Sequence, residues 1–158
     1  MKILVAIDGS EFSKNAVRFA SCLAIKTKAG VIALRVIDLP RYSHWMGVSA
    51  KVKEEMIETS KKIIKEAVAI AQEEFGLVIQ GITREGSPVE EIIKLANEDP
   101  EIVMVVLGAS GKGHAARKLA GSTTEGLIHE VSRSLHCAVI VVPGSDAIYN
   151  KRCSLVHH

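Results

Sequence analysis

The residues best suited to binding chemistry lie in one glycine-rich stretch near the middle of the second half of the chain. Three glycines punctuate it and a hydroxyl-rich run follows: Gly108, Gly111, Gly121 and Ser122-Thr123-Thr124. From Ile102 to Thr124 the chain contains no Asp or Glu, although it contains three basic side chains. Glycines let the backbone approach a ligand closely, and a helix N-terminus attracts negative charge. The stretch therefore predicts an anion-binding loop.

The length of this stretch also points to function. The run Ile102–Leu107 is short, apolar and β-branched, which predicts a strand buried on both faces of a parallel sheet. A helical pattern begins near Ser122, so the connection is longer than the roughly 2–6 residues usual between a strand and a helix. Ser122 and Glu125 also match a capping box, and in that second interpretation the Ser122 hydroxyl serves the helix instead of a ligand.

Two familiar phosphate-binding motifs do not fit this stretch. The run Gly108–Gly113 has the glycine spacing of a P-loop, but His114 follows where that motif requires Lys. The run Gly111–Ala116 matches a loose dinucleotide-binding pattern, but it follows the fourth predicted strand instead of the first. No acidic residue lies about 20 positions later at the end of a following strand, so we reject a dinucleotide site of that kind.

Other candidate chemistry is weaker. His114, His129 and His136 lack the spacing of metal ligands. The serines near the predicted strand ends, Ser10 and Ser110 among them, have no His–Asp partners in an elbow motif, so nucleophilic hydrolysis has little support.

Hydrophobic periodicity predicts the elements that must position the loop. Apolar runs predict strands at 2–8, 31–37, 77–83, 102–107 and 138–142. Helical patterns predict helices at 13–28, 51–75, 88–97 and 122–135. Strands that alternate with helices indicate an α/β fold, an open, doubly wound, five-stranded parallel sheet with helices on both faces.

This architecture places a binding site at one point. Ligands bind beyond the carboxyl ends of the strands, where the strand order reverses. If the first and fourth strands are the central neighbours, that crevice lies between Asp8 and Gly108, and both residues fall at strand ends.

Composition excludes several classes of protein. A chain of 158 residues that is 47% hydrophobic is long enough for one domain with a core. Its 20 basic and 18 acidic residues and its 4% aromatic content argue against a nucleic-acid partner. No run approaches the ~18 apolar residues of a membrane span, and the chain enters a strand without a signal peptide. We therefore expect a cytoplasmic protein without a membrane partner.

The same reasoning sets expectations for the cysteines and the chain ends. Cys22 and Cys137 lie in apolar contexts and are predicted to be buried free thiols. We expect a single domain over residues 1–144 and a tail over residues 145–158, whose last two histidines resemble part of a purification tag. The irregular segment 38–50 has no assigned role.

The glycine spacing resembles a known family signature. Gly108-x2-Gly111-x9-Gly121-Ser122 matches the G-2x-G-9x-G-(S/T) motif of the universal stress protein family, in the subgroup that binds ATP. The opening Ile3–Ser10 and the closing Cys137–Pro143 are also similar to that family, so the resemblance covers the chain from its first residue to about Pro143. It implies a sheet with strand order 3-2-1-4-5.

The resemblance also implies the residues that would bind ATP or another adenine nucleotide. From the base of the site through the adenine and ribose to the phosphates, they are Ala6, Ile7, Asp8, Val36, Leu107, Gly108, Ser110, Gly111, Lys112, Gly121, Ser122, Thr123 and Thr124. Val36 would meet the adenine through its backbone. Asp8 would approach a Mg²⁺ ion through water, since Mg²⁺ prefers oxygen ligands and retains much of its hydration. Ala6 stands where some members of the family have proline.

The implied function is a nucleotide-binding stress-response or regulatory protein. Asp8 is the one carboxylate that the motif supplies, so we expect at most slow ATP hydrolysis, and whether the protein is an enzyme stays open. Members of the family commonly dimerise through the last strand, and an uncharged edge at 138–142 favours such pairing. The alternative is a dimeric interaction module that binds no nucleotide, in which the glycine loop is only structural.

Overall fold

The computed structural model describes residues 1–38, 50–110, 121–131 and 133–144. The strands are β1 (Lys2–Ala6), β2 (Gly30–Ile37), β3 (Gln80–Glu85), β4 (Ile102–Gly108) and β5 (Ala138–Val142). The helices are α1 (Glu11–Thr27), α2 (Ala50–Phe75), α3 (Pro88–Glu98) and α4 (Ser122–Glu130).

The described strands form one parallel sheet in the order β3-β2-β1-β4-β5, which confirms the predicted fold class and strand order. β1 lies in the middle, where Val5 pairs with Ala33 of β2 on one side and with Val106 of β4 on the other. The chain therefore crosses from one side of β1 to the other between β3 and β4. Strand order reverses beside β1, as the sequence predicts.

Two apolar cores sandwich the sheet, because successive side chains of each strand point to opposite faces. On one face Ile3 and Val5 pack with the buried stripes of α1 and α2. On the other face Leu4 packs with Ile92 of α3 and Leu127 of α4. Both faces of a central strand are buried, so neither face carries polar side chains. This explains the continuous apolar run of β1.

The ends of α1 follow from local chemistry and differ from the sequence prediction. Ser10 is the N-cap, and its Oγ accepts a hydrogen bond from the Ser13 N–H at 3.2 Å, so the helix begins at Glu11 instead of Ser13. At the other end Lys28 adopts a left-handed conformation with φ of 56°, and its N–H binds the Ala24 carbonyl. Gly30 already belongs to β2 and has no part in ending this helix.

Other predicted boundaries also move, and β1 ends at Ala6, not at residue 8. β3 begins at Gln80, not at residue 77, because the chain after α2 first makes a turn in which the Leu77 N–H binds the Ala71 carbonyl. α4 ends at Glu130, not at residue 135, and the Ser134 hydroxyl then binds the Glu130 carboxylate at 2.8 Å. Ser87 is the N-cap of α3, but its side chain makes no capping hydrogen bond.

The cysteines differ from one another. Cys22 is disulfide-bonded and only half-buried, so the predicted buried free thiol is wrong at this position. Cys137 is free, and partial burial raises the pKa of its thiol. Cys153 lies outside the described residues. Across the described part of the chain, no helix combines the length and the apolar character that crossing a membrane requires.

Candidate functional site

A cleft opens at the carboxyl ends of β1, β2 and β4, at the point where the strand order reverses. Its volume is about 250 Å³, close to the lower end of the range for small-molecule sites. The start of α3 and the start of α4 form two of its walls. The sheet therefore places its cleft where parallel α/β sheets bind ligands.

The structure brings most of the predicted site residues together around this cleft. The carboxyl ends of β1, β2 and β4, with the two residues after β1, contribute Ala6, Ile7, Asp8, Val36, Leu107 and Gly108. The segments around the loop contribute Ser110, Gly121, Ser122, Thr123 and Thr124. Gly111 and Lys112 lie outside the described residues. That these residues contact a nucleotide stays a prediction.

The cleft also includes residues that the sequence prediction missed. Leu34, Pro88 and Ile92 add apolar surface, and Ser13 and Arg35 add polar groups. The sequence does contain a signal for Arg35, since this arginine is the one charged residue in the apolar run of β2. Pro88 and Ile92 gave no such signal, because only the packing of α3 against the sheet turns this helix end toward the cleft.

The carboxylate of Asp8 is fixed by the turn into α1. Its Oδ1 accepts a hydrogen bond from the Ser10 N–H at 2.9 Å, and its own N–H donates to Ser13 Oγ at 3.3 Å. The Ser13 hydroxyl in turn donates to the Ser10 carbonyl at 3.0 Å. These bonds hold the carboxylate in one orientation at the cleft, where one of its oxygens already accepts a hydrogen bond.

The glycine-rich loop is closed at its base by two backbone hydrogen bonds. The Ala109 N–H donates to the Val142 carbonyl at 2.8 Å, and the Gly121 N–H donates to the Ala109 carbonyl at 2.9 Å. The chain therefore leaves β4 and returns to α4 at nearly the same place. This closure puts the N-terminus of α4 directly beside the end of β4.

The N-terminus of α4 carries no side-chain cap. Gly121 occupies the N-cap position with φ of −73° and ψ of 160°, and no side-chain capping hydrogen bond forms there. Ser122 is exposed in the first helical position, so the interpretation that its hydroxyl caps the helix is wrong. Within the described residues the first N–H groups of α4 have no side-chain partner, and the helix dipole makes this end positive.

Thr124 has a structural bond that limits its role. Its side chain is buried, and its hydroxyl donates to the Gly108 carbonyl at 3.1 Å. A phosphate oxygen needs a hydrogen-bond donor, and the Thr124 hydroxyl already donates its proton to the Gly108 carbonyl. Thr124 therefore ties α4 to β4, and its backbone N–H is the donor that it can offer to an anion.

Gly108 owes its identity to packing. A Cβ at this position would lie 2.7 Å from the backbone carbon of Phe12 and 2.8 Å from its oxygen. Real Cβ atoms do not approach backbone atoms so closely, so glycine lets α1 pack against the end of β4. The sequence prediction assigned this glycine to the approach of a ligand, and the structure gives a sufficient reason in the fold.

The charged side chains among the described lining residues are Asp8 and Arg35. Arg35 is half-buried, and its Nε is buried without a hydrogen-bond partner. Burial lowers the pKa of the Arg35 guanidinium, and the nearby charge of Asp8 opposes that shift. The described part of the cleft thus has one fixed carboxylate, one guanidinium and one positive helix end.

Comparison with known proteins agrees with the fold. Residues 1–143 match the model of the universal stress protein family. The chain belongs to this family. Universal stress protein MJ0531 of Methanocaldococcus jannaschii is 35% identical over 147 residues, which cover 89% of this chain and 81% of that protein.

Solved universal stress proteins have the same fold. The protein UspA from Lactobacillus plantarum superposes with a TM-score of 0.69 at 26% identity, covering 90% of this chain and 97% of that one. The universal stress protein from Archaeoglobus fulgidus in complex with dAMP superposes with a TM-score of 0.63 at 22% identity, covering 90% and 97%.

The described residues of this universal stress protein contain no cluster of three or more His, Cys, Asp or Glu side chains that could hold a metal ion. A Mg²⁺ ion that enters with a phosphorylated ligand does not need such a cluster, because phosphate oxygens and water supply most of its ligands. Asp8 is the carboxylate of the described cleft that could face such an ion.

Gly108→Ala tests the packing role of this glycine. We expect the free energy of unfolding to fall by about 1–3 kcal/mol, because the new Cβ overlaps the backbone of Phe12 and one element must shift. Gly30→Ala is the matched control, since its Cβ would meet only Lys2 Cγ at an ordinary 3.5 Å. Chemical denaturation measures both variants, and equal losses would show that the contact of α1 with β4 does not require glycine.

Proposed function

We propose that this universal stress protein binds an adenine nucleotide, with ATP as the preferred ligand, in the cleft between β1 and β4. The observation that carries the proposal is the uncapped N-terminus of α4, which the closed loop brings to the rim of the cleft. The first N–H groups of α4, which have no side-chain partner among the described residues, and the positive end of the helix dipole together suit a phosphate. The surrounding residues also fit the other parts of a nucleotide.

The apolar part of the cleft suits the base. Leu34, Val36, Pro88 and Ile92 come from β2 and α3 and form a hydrophobic wall. In this proposal the adenine lies against that wall, and the backbone of Val36 at the end of β2 contacts its polar edge. Hydrophobic walls with a few backbone polar groups are the usual composition of small-molecule sites.

The polar part of the cleft suits the ribose and phosphates. Asp8 lies at the base, beside Ala6 and Ile7, where an ionised carboxylate can accept hydrogen bonds from sugar hydroxyls. Ser122, Thr123 and Thr124 would donate their backbone N–H groups to phosphate oxygens. Leu107, Gly108, Ser110, Gly111 and Lys112 would run beside the ribose and phosphates, the last two from outside the described residues. The dAMP complex of the A. fulgidus protein supports this ligand class, because it shows that the fold accommodates an adenine nucleotide.

A Mg²⁺ ion fits the same site as an escort of the phosphates. The residue that would approach it is Asp8, through water, because one of its carboxylate oxygens already accepts the Ser10 N–H. The ion would supply positive charge to the phosphates. Asp8 would orient its water ligands.

We expect binding to be the main activity and hydrolysis to be slow at most. Asp8 is the one carboxylate among the described lining residues, and its hydrogen bond to the Ser10 N–H fixes it in place. A general base must reach the attacking water, and no histidine or second carboxylate among these residues does so. In this proposal residues 1–144 form one nucleotide-binding domain of a stress-response or regulatory protein that works in the cytoplasm.

Binding of ATP to the purified protein tests the proposal directly. Native mass spectrometry should show a mass increment equal to an adenine nucleotide, either as purified or after ATP is added. Thermal-shift titration should show stabilisation, about 2.7 kcal/mol when the free ATP concentration is 100 times Kd. The alternative function, an interaction module without a nucleotide, predicts a protein that purifies empty and shows no shift with ATP.

Ser122→Pro tests the N-terminus of α4 as the phosphate site. Proline is favoured at the first helical position and removes one N–H donor, and the extended ψ of Gly121 suits a residue before proline. We expect ATP affinity to fall about tenfold or more, since hydrogen bonds to charged groups contribute roughly 1.5–3 kcal/mol. Ser122→Ala is the control, because it removes only the hydroxyl. Isothermal titration measures both, and wild-type affinity in the proline variant would contradict a phosphate contact with this N–H group.

We also propose that the protein forms a homodimer through β5. This strand is an edge of the described sheet, and Val141 is an apolar side chain with 38% exposure on it. An apolar edge strand without charge favours pairing with another edge. Two copies of residues 138–142 would then extend the sheet across the dimer.

Val141→Lys should convert this dimer to a monomer, because charged side chains on an edge strand oppose pairing. Val103→Lys is the matched control, since Val103 has a similar exposure of 39% but lies on β4, inside the sheet. Size-exclusion chromatography with light scattering measures the mass of each variant. A dimer that survives in Val141→Lys would place the interface elsewhere.

A further inference from the structure

Arg35 is a charged residue in a strand that is otherwise apolar. β2 runs from Gly30 to Ile37, and the neighbours of Arg35, Leu34 and Val36, are buried in the core. An arginine in such a strand requires a reason, because removing a charge from water costs free energy unless partners compensate. Arg35 lines the cleft with its side chain half-buried.

The described structure compensates this arginine only in part. Its Nε is buried and has no hydrogen-bond partner. Asp8 provides a favourable charge nearby, but Oδ1 of that carboxylate already accepts the Ser10 N–H. Buried polar groups are nearly always paired in folded proteins, so an unpaired guanidinium N–H at a binding cleft suggests a missing acceptor.

We infer that Arg35 recognises the negative charge of the phosphoryl groups of the ligand. The inference rests on the proposed nucleotide function and adds a cation from β2, outside the glycine motif. A guanidinium has five donors in a planar fork that matches phosphate oxygens. Without ligand, the negative charge of Asp8 balances the positive charge of Arg35. The uncapped N-terminus of α4 is the second source of positive potential at the cleft. Arg35 therefore distinguishes phosphorylated adenosine from adenosine.

A purely structural role for Arg35 is the competing explanation. In that case the guanidinium serves only to neutralise Asp8, and its loss destabilises the protein without changing the choice of ligand. In our inference Arg35 binds the ligand and does not stabilise the ligand-free protein, because its buried Nε–H has no hydrogen-bond partner in the described structure. The two explanations differ in ligand selectivity and in the stability of the ligand-free protein.

Isothermal titration of the full chain with ATP, AMP and adenosine separates these explanations. Arg35→Gln should weaken ATP and AMP by about 10- to 100-fold, the loss typical of one hydrogen bond to a charged group. Adenosine affinity should stay unchanged. Arg35→Lys keeps the charge without the planar fork and should recover part of the loss. The melting temperature of ligand-free Arg35→Gln should equal or exceed that of the wild type.

Arg133→Gln is the matched control. This arginine is exposed beyond α4 and does not line the cleft, so the variant makes the same change of net charge elsewhere. We expect its ATP affinity to stay within about twofold of the wild type, as for most surface substitutions. An equal loss in Arg133→Gln would attribute the effect to overall charge and would overturn the role of Arg35.

The remaining outcomes distinguish this inference from the proposed function. If Arg35→Gln leaves ATP affinity unchanged, or weakens adenosine as much as ATP, the role of Arg35 is wrong while nucleotide binding stands. Tripolyphosphate is the probe without a base. If it binds as tightly as ATP and shows the same loss in Arg35→Gln, the role of Arg35 stands while adenine recognition fails. Wild-type protein that binds none of the four ligands would refute both.

Discussion

The close approach of α1 to the end of β4 is the constraint on which the cleft depends. It requires glycine at position 108, because a Cβ there would overlap the backbone of Phe12. The carbonyl of the same glycine accepts the Thr124 hydroxyl, so one residue joins α1, β4 and α4. The hydrogen bond from Gly121 to Ala109 completes the junction and closes the loop. These contacts hold the positive end of α4 beside Asp8 and leave the space between them as the cleft.

The charges of the cleft show how stability and function compete at this junction. An uncapped helix and a half-buried arginine both leave donors without a partner in the described structure, and each lowers the stability of the free protein. A core built only for stability would cap α4 with a Ser or Asp side chain and replace Arg35 with an apolar residue. In the described structure this protein thus keeps unpaired donors at a place where an anionic ligand would satisfy them.

Ser122 has two interpretations in the sequence, as the cap of α4 and as a residue that binds the ligand. Ser122 and Glu125 have the spacing of a capping box, and that spacing alone would assign the serine to the helix. In the structure Gly121 is the N-cap, one residue before Ser122. The loop closes at this glycine, because its N–H binds the Ala109 carbonyl. A tertiary hydrogen bond therefore decided which residue caps the helix. Local pattern could not, since the capping-box spacing favours Ser122 and not Gly121.

Local patterns in the sequence predicted the fold class and placed Gly108 at the end of a strand, and the resemblance to the family implied the strand order. These follow from periodicity and from glycine spacing, which act within short stretches of chain. Tertiary structure decided what the residues do there: Gly108 serves packing, Thr124 binds a carbonyl, Pro88 and Ile92 form a wall, and Arg35 enters the cleft. Each of these roles depends on contacts between segments distant in sequence, and no local pattern contains that information.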